Sequence, residues 1–176
     1  MASLQTDSAV LVMGVLASDR EHLSPVLPQL KDRFGPICMV SPWMPFTDTP
    51  YYEEEMGGRV SRRALVFSRP VRQGQLAEIK RWTNDLERSF ANGGRRTINL
   101  DPGLLVASRF VLATTKDFTH RICLEDGLYA DLTLIYKDGA FRALPWTYPD
   151  YASGPMHNFL MDVRRRFVTH GMGPLS

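Results

Sequence analysis

A continuous apolar run over residues 10–16 predicts a strand buried inside the protein, because a half-exposed strand would alternate with polar residues. Ser18 and Glu21 follow with the spacing of a capping box, and apolar residues then recur at helical spacing up to a Gly-Pro pair at residues 35–36. Residues 37–40 predict a second strand. The chain therefore begins with a strand, a helix and a strand.

The following segment adds a strand, a helix and a further strand. Residues 63–68 predict the third strand, residues 75–91 the second helix and residues 97–100 the fourth strand. Asp101 has the character of a helix N-cap, and Pro102 suits the first position of a short helix after it. The order of the first six elements is that of the ferredoxin-like split βαβ arrangement.

The rest of the chain predicts a meander of strands followed by a helix. Two Asp-Gly pairs mark tight hairpin turns. The final helix is expected over residues 156–168, and the strands are expected over residues 121–124, 128–136 and 140–144. We therefore predict an α+β fold: a ferredoxin-like split βαβ sheet with helices on one face, extended by a C-terminal β-meander and a final helix.

The chain has 176 residues, of which 44% are hydrophobic, as expected for one domain with a core. We expect a single domain over residues 1–176, with flexible tails at residues 1–9 and 169–176. No apolar run reaches the roughly 18 residues of a membrane helix, and the N-terminus lacks signal-peptide features. Cys38 and Cys123 lie in apolar stretches and are expected to be buried free thiols. These features predict a cytoplasmic protein.

The net charge of +2 is too small to indicate a nucleic-acid partner by itself. Arginines cluster at residues 59–63, 95–96 and 164–166, and each cluster is short. Solvated charge is the favoured interpretation, and phosphate binding is the alternative.

The most polar stretch, residues 114–121, lies between an apolar run and a strand, where α/β proteins commonly bind ligands. Lys116 and Arg121 have the chemistry to hold an anionic group. Asp117 and His120 belong to the same stretch. We expect these residues to form part of a ligand site.

The hairpin after this stretch suggests a pair for acid–base chemistry. A two-residue turn at residues 126–127 would place His120 opposite Thr133, on the same face as Tyr129 and Asp131. Asp131 would then orient the imidazole, and His120 would act as a general acid or base. The alternative is a polar outer face of the sheet on which His120 has no catalytic role.

Two other segments offer oxygen and ring groups. Asn99 and Asp101 alternate on one strand face and could bind a divalent ion or a hydroxylated ligand, although a helix cap is the preferred role for Asp101. Tyr52 lies in an aromatic loop that could act as a lid, and Asn84 flanks the apolar stripe of the second helix. The segment at residues 145–151 either lines a pocket or plugs the sheet; its candidates for ligand contact are Trp146, Tyr148 and Asp150.

Several nucleotide and hydrolase motifs are missing from the sequence. It contains no GxxxxGK[ST], GxGxxG, HExxH or GxSxG pattern. The Thr-Lys-Asp segment at residues 115–117 lacks the spacer between Lys and Asp of a guanine-reading segment. No known phosphate loop is therefore predicted.

Longer motifs run through the chain. They are Asp48 with Tyr51-Tyr52-Glu53 and Glu55-Met56-Gly57; Thr83-Asn84-Asp85-Leu86-Glu87; Asn99-Leu100-Asp101-Pro102-Gly103; Leu112-Ala113-Thr114-Thr115-Lys116-Asp117 with His120-Arg121; Gly127-Leu128-Tyr129-Ala130-Asp131-Leu132-Thr133-Leu134; and Pro145-Trp146-Thr147-Tyr148-Pro149-Asp150-Tyr151. Together they resemble a bacterial family catalogued as domain of unknown function number 4416, over residues 10–167.

The resemblance implies that these motif positions are distinctive of the family, some members of which are labelled GTP-binding proteins. No sequence feature described above supports that label. Family members usually have Asp directly before Tyr-Tyr, whereas Thr49 and Pro50 intervene here after Asp48. The family often has Glu at position 131. Asp131 keeps the carboxylate, but its side chain is shorter.

Three functions remain as hypotheses. The first is an enzyme or binder acting on a phosphorylated or nucleotide-like small molecule, with His120, Asp131 and Lys116 at its centre and a possible divalent metal. The second is a non-catalytic binding module for RNA or a protein partner. The third is a structural accessory protein whose polar motifs only brace its loops.

Overall fold

The structure, a computed structural model, describes residues 7–47 and 50–169. In these residues it is an α+β fold, as predicted, with ten strands in one large antiparallel sheet and five helices. The strands are β1 (Ser8–Ala17), β2 (Ile37–Val40), β3 (Met44–Phe46), β4 (Val60–Phe67), β5 (Val71–Arg72), β6 (Ile98–Val106), β7 (Arg109–Thr114), β8 (Arg121–Glu125), β9 (Leu128–Lys137) and β10 (Ala140–Ala143). The helices are α1 (Leu27–Phe34), α2 (Tyr51–Met56), α3 (Leu76–Ser89), α4 (Pro149–Ala152) and α5 (Gly154–Arg164).

The main path of the sheet runs β10-β9-β7-β6-β1-β4-β2. Three short strands pair off this path: β3 with β4, β5 with β1, and β8 with β9. The predicted meander is present, because β9 pairs antiparallel with both β8 and β10.

The apolar run in β1 is buried on both sides, since alternate residues of a strand face opposite sides of a sheet. Leu11 and Met13 pack with residues of α1 and α3 on one face. Val12 packs with residues of α4 and α5 on the other face. The prediction that the helices lie on one face is therefore wrong, because the last two helices cover the second apolar face.

The predicted helix after Asp101 is also wrong, because β6 continues through this segment. Pro102 is tolerated in the strand because its backbone nitrogen points away from β1. Residues i and i+2 of a strand direct their backbone groups to the same side, and Leu100 directs its own toward α3 rather than β1. The missing N–H of Pro102 therefore costs no bond to β1. Gly103 leaves room for Phe110, whose ring carbon Cζ would lie 2.4 Å from a Cβ at position 103.

Two local predictions near the N-terminal strands need correction. Asp19, and not Ser18, caps the first turn, by accepting a hydrogen bond from the backbone N–H of Glu21. The Ser18 hydroxyl instead donates to the backbone oxygen of Met56, 3.0 Å away, which holds the end of α2. Asp48 lies outside the described residues.

Three further expectations concern the tails, membranes and thiols. Strand β1 already begins at Ser8, inside the expected N-terminal tail of residues 1–9. No helix in the described part of the chain has both the length and the apolar character needed to cross a bilayer. Both cysteines are free, but Cys38 is only half-buried and Cys123 is exposed, so neither is the fully buried thiol that was expected.

Candidate functional site at the split between two strands

A gap opens in the sheet where β6 and β7 separate. The two strands pair over Gly103–Val106 of β6 and 109–112 of β7, and beyond Leu112 the strand β7 pairs with β9 alone. The free edge of β6 is completed by two side chains of α3: Lys80 Nζ donates to the oxygen of Leu100 at 2.9 Å, and Glu87 accepts from its N–H at 2.6 Å. Buried backbone groups need such partners. The helix thus substitutes for a strand at this point.

The gap contains a cavity of about 180 Å³. Its walls come from β6, from the end of β7 and the loop that follows, from α2 and α3, and from the segment leading into α4. The lining residues are Phe46, Tyr51, Tyr52, Arg62, Lys80, Asn84, Arg96, Asn99, Asp101, Leu112, Ala113, Thr114, Thr115, Lys116, Arg121, Asp131, Tyr148 and Tyr151.

Asp101 is the carboxylate on the β6 side of the cavity. Its Oδ1 lies 3.6 Å from Lys80 Nζ, and its Oδ2 lies 3.9 Å from Arg62 Nη2. Asn99 Nδ2 donates to Oδ2 at 2.9 Å. Burial, and secondarily the charge of Asp101, raises the pKa of the nearby Tyr52 phenol, which therefore stays protonated and able to donate.

Arg62 is buried beside Asp101 and has partners on every side. Its Nε lies 2.7 Å from Asp150 Oδ2, and its Nη1 donates to the Tyr151 hydroxyl at 2.7 Å. The guanidinium also lies over the rings of Phe46 and Tyr151, at 4.8 and 5.0 Å. Burial alone would lower the pKa of Arg62, but Tyr151, Asp150 and Asp101 outweigh it and raise the pKa, so this arginine is permanently charged.

Arg96 lines the cavity and connects three elements around it. Its Nε and Nη2 donate to the two carboxylate oxygens of Glu55 in α2, at 2.6 and 2.8 Å. Its Nη1 donates to Asn99 at 2.7 Å and to Glu87 at 3.3 Å. A bidentate arginine–carboxylate pair is geometrically specific. Arg96 therefore holds α2, with its two tyrosines, at a defined distance from β6.

Arg121 performs a similar role on the β7 side. Its three donor groups reach Asp131 Oδ2, the backbone oxygen of Lys116 and the Tyr148 hydroxyl, each at 2.9 Å. Burial alone would lower its pKa, but the hydrogen bonds to Asp131 and Tyr148 raise it. The loop after β7, the start of β8, β9 and the aromatic segment before α4 are thereby fixed to one guanidinium.

Lys116 differs from the other cations of the lining because its side-chain partner in the described structure is a ring and not a carboxylate. Its ammonium lies 4.5 Å from the centre of the Tyr51 ring. Among the described residues, no carboxylate lies within ion-pair distance of it. The other four cations of the lining each pair with one or more carboxylates; these four are Arg62, Lys80, Arg96 and Arg121.

The expected pair of His120 and Asp131 is present, with 3.1 Å between Nε2 and Oδ2. The register that predicted it is wrong, because Asp131 lies opposite Arg121 and a bulge follows Cys123. The His120 ring stacks on Trp146, with 4.8 Å between ring centres and 13° between their planes. His120 therefore lies behind Asp131 and Arg121, outside the cavity lining.

Eight of the residues that the sequence suggested for a site do line the cavity: Tyr52, Asn84, Asn99, Asp101, Lys116, Arg121, Asp131 and Tyr148. The others lie elsewhere. Asp117 and Tyr129 are neighbours outside the lining, and the charge of Asp117, with a smaller contribution from burial, raises the pKa of that phenol. Trp146 Nε1 donates to the oxygen of Leu132 at 2.8 Å, so Trp146 packs on the sheet. Asp150 pairs with Arg62 and borders a second cavity of about 190 Å³.

The sequence interpretation missed Arg62, Arg96, Tyr151 and the buried roles of Lys80 and Glu87. A signal existed for the last two, because Lys80, Asn84 and Glu87 follow one another at helical spacing. Lys and Glu at this spacing commonly form a salt-bridge ladder on a helix surface, but here both charged residues are buried. Burial, which outweighs its cationic neighbours, raises the pKa of Glu87. No comparable signal marked the two arginines.

The suggested divalent-ion site at Asn99 and Asp101 does not fit these contacts. Lys80 and Arg62 lie beside the Asp101 carboxylate, where a metal would bind, and the Asn99 amide donates to it. Within the described ranges, no three His, Cys, Asp or Glu residues are grouped so that they could hold a metal ion.

Fold and site define an α+β protein with a polar cavity at a split in its antiparallel sheet. The family model described as Domain of unknown function (DUF4416) matches residues 7–167. The chain belongs to this family, as its motifs indicated. Searches of curated proteins and of solved structures returned no match.

Proposed function

We propose that the cavity between β6 and β7 binds a small phosphorylated or nucleotide-like molecule, on which the chain acts as an enzyme or a binder. The observation that carries this proposal is Lys116. Its ammonium borders the cavity and contacts only a ring face among the described residues. A cation–π contact at an exposed site is worth about 0.5–1 kcal/mol, so an anionic ligand can readily replace it.

The neighbouring groups favour a phosphate over a simple halide or carboxylate. Arg121 borders the same end of the cavity, and its fork is already oriented by Asp131. Thr114, at the end of β7, and Thr115, in the loop that also carries Lys116, contribute hydroxyls. Charged and neutral donors that converge on one point are typical of phosphate sites.

The side of the cavity formed by β6 and α3 suits hydroxyl or amino groups of the same ligand. Asp101 supplies acceptor oxygens there, and Asn84 supplies an amide. Tyr52 lines the cavity from α2, and the Tyr51 ring lies beside Lys116. A volume of about 180 Å³ is small beside the roughly 300–1,000 Å³ of pockets for drug-sized ligands. A sugar phosphate or the phosphate end of a nucleotide therefore fits better than a whole enclosed nucleotide.

For His120 we propose a positioning role rather than direct acid–base chemistry. Its Nε2 is bound to Asp131, and its ring is stacked on Trp146. Asp131 in turn orients Arg121 toward Tyr148 and Lys116. Asp131 lines the cavity, whereas His120 does not.

The test is thermal melting of the pure protein against inorganic phosphate, sugar phosphates and nucleotides, GTP included, with and without magnesium. A ligand at a hundred times its dissociation constant adds about 2.7 kcal/mol of stability, which raises the melting temperature by several degrees. Lys116→Met should weaken binding at least tenfold, because a hydrogen bond to a charged group contributes about 1.5–3 kcal/mol.

Lys137→Met is the matched control, since Lys137 is exposed at the end of β9 and outside the cavity lining. It should bind the same ligand as the wild type does. A ligand that binds Lys116→Met as tightly as wild type would contradict the proposed site. A panel without any hit would favour the alternative of an RNA or protein partner.

We also propose a ferredoxin-like split βαβ unit. Its six elements are β1, α1, β2, β4, α3 and β6. The strand order supports this, because β4 lies between β1 and β2, and β1 lies between β4 and β6. Helices α1 and α3 pack in the same hydrophobic cluster, on one face of these strands. A solved relative with the same order would test the assignment.

A further inference from the structure

Two arginines and a tryptophan form a cationic cluster away from the cavity. The three residues, here called the Trp43 cluster, are Arg20 in the short turn after β1, Trp43 in the loop before β3, and Arg63 in β4. Arg63 follows Arg62 in the strand, so the two side chains point to opposite faces of the sheet. No residue of the cluster lines either cavity. The Trp43 cluster is therefore separate from the site between β6 and β7.

Both guanidinium groups of the cluster lie against the same indole ring. The Cζ atoms of Arg63 and Arg20 are 4.8 and 5.8 Å from the centre of the Trp43 ring. In the part of the chain that the structure describes, neither arginine forms an ion pair with a carboxylate. The Arg63 Nε is buried and has no hydrogen-bond partner among these residues. A buried donor without a partner destabilises a folded protein and calls for an explanation.

The two positive charges also act on each other. Burial, and secondarily the charge of Arg20, lowers the pKa of Arg63. An arginine nevertheless keeps its charge at neutral pH. Folding thus brings together two like charges and an unsatisfied donor, and an anion placed beside them would relieve both costs. Locally unfavourable arrangements of this kind are typical of functional sites.

We propose that the Trp43 cluster binds a dianionic phosphate group, as in inorganic phosphate or a phosphate monoester. The charge of the group decides this choice. A phosphate monoester carries about −1.5 to −2 at pH 7, which matches two arginines without carboxylate partners. A carboxylate or a phosphate diester carries a single negative charge. The oxygens of one phosphate can also accept hydrogen bonds from two guanidinium groups at once. The proposal does not depend on a ligand in the cavity.

The test is isothermal titration calorimetry with inorganic phosphate and with phenyl phosphate. The ionic strength is held constant with potassium chloride, because salt alone screens the repulsion between the arginines. The titrated chain is Lys116→Met, in which binding to the cavity is weakened. We expect a dissociation constant below about 1 mM. Dimethyl phosphate, a diester with one negative charge, should bind at least tenfold more weakly.

Arg20→Met and Arg63→Met, each added to Lys116→Met, should weaken phosphate binding at least tenfold, because each removes charged donors. Arg59→Met is the matched control, since it removes an exposed charge from the same arginine run. It should bind as the Lys116→Met chain does. Without phosphate, Arg20→Met should not lower the melting temperature, because Arg20 is exposed and its loss relieves repulsion. Its weaker binding would therefore not reflect unfolding.

The outcomes separate this proposal from the proposed function. Wild type that binds phosphate, with Lys116→Met that does not, would locate binding in the cavity alone. That result would overturn the Trp43 cluster as a site and leave the proposed function standing. Unchanged binding in Arg20→Met or Arg63→Met, or a dimethyl phosphate affinity equal to that of inorganic phosphate, would also overturn the proposal. Binding that survives Lys116→Met and is lost with either arginine would support it.

Discussion

Replacing Arg62 by methionine tests the electrostatic centre of the structure. Methionine keeps the apolar stem between the rings of Phe46 and Tyr151 but removes the guanidinium. Asp150, at 2.7 Å, then loses its cationic partner, and Tyr151 loses its donor. Asp101 keeps Lys80 but loses its second cation.

The expected cost is large because both partners are buried. The side chains of Arg62 and Asp150 are 8% and 16% exposed. Removing one member of a buried ion pair costs about 3–5 kcal/mol, since the other charge remains desolvated. For a protein of this size, 1 kcal/mol changes the melting temperature by roughly 2–4 °C. Arg62→Met should therefore melt about 6–20 °C below the wild type.

Two further variants sharpen the interpretation. Arg62→Lys keeps the charge, but one ammonium cannot reproduce the fork that reaches Asp150 and Tyr151 together. The melting temperature of Arg62→Lys should lie between those of Arg62→Met and the wild type. The double variant Arg62→Met with Asp150→Asn should lose less stability than the sum of the single variants, because the stranded charge is gone.

Urea unfolding followed by circular dichroism gives the free energy of unfolding for each variant. Arg59→Met is the control, since Arg59 is exposed in the same arginine cluster, and it should change stability by less than about 0.5 kcal/mol. If Arg62→Met lost less than about 1 kcal/mol, Arg62 would not be the buried partner of Asp150, and this account of the site would be refuted.

Two other predictions concern packing and pH. Gly103→Ala should cost about 1–3 kcal/mol in urea unfolding, because a Cβ there meets the Phe110 ring at 2.4 Å; unchanged stability would show that the ring moves freely. Burial raises the pKa of Glu87 above its ordinary value, so its charge penalises the folded state at neutral pH, and this penalty disappears as the pH falls through the raised pKa. Wild type should therefore gain stability relative to Glu87→Gln as the pH falls from neutral through the raised pKa, and a constant difference would contradict the raised pKa.

Local pattern predicted much of the secondary structure of this chain. The apolar run of β1 and the Asp-Gly turns between β8, β9 and β10 depend on neighbouring residues alone. The polar stretch after β7 also indicated a site, and Lys116 and Arg121 do border the cavity. Composition and short-range spacing are sufficient for features of this kind.

Other features depended on parts of the chain that are distant in sequence. In isolation, the Asp-Pro-Gly segment at residues 101–103 suits the start of a helix. Here it continues strand β6, because β1 pairs with it along one edge. The bulge after Cys123 moved the hairpin register by one residue, which no turn rule predicted. Arg62 and Arg96 resemble surface arginines until the residues that bury them are known.

By itself, the sequence determined the α+β class, most strands and helices, the family and the polar residues from which a site is built. Only the tertiary structure decided that β6 and β7 separate, that α3 completes the free strand edge, and that the cavity forms in the gap. The physical reason is the separation in sequence between the interacting residues. Hydrophobic periodicity and turn chemistry act between near neighbours, whereas the pairing of buried charges depends on which distant segments the packed sheet brings together.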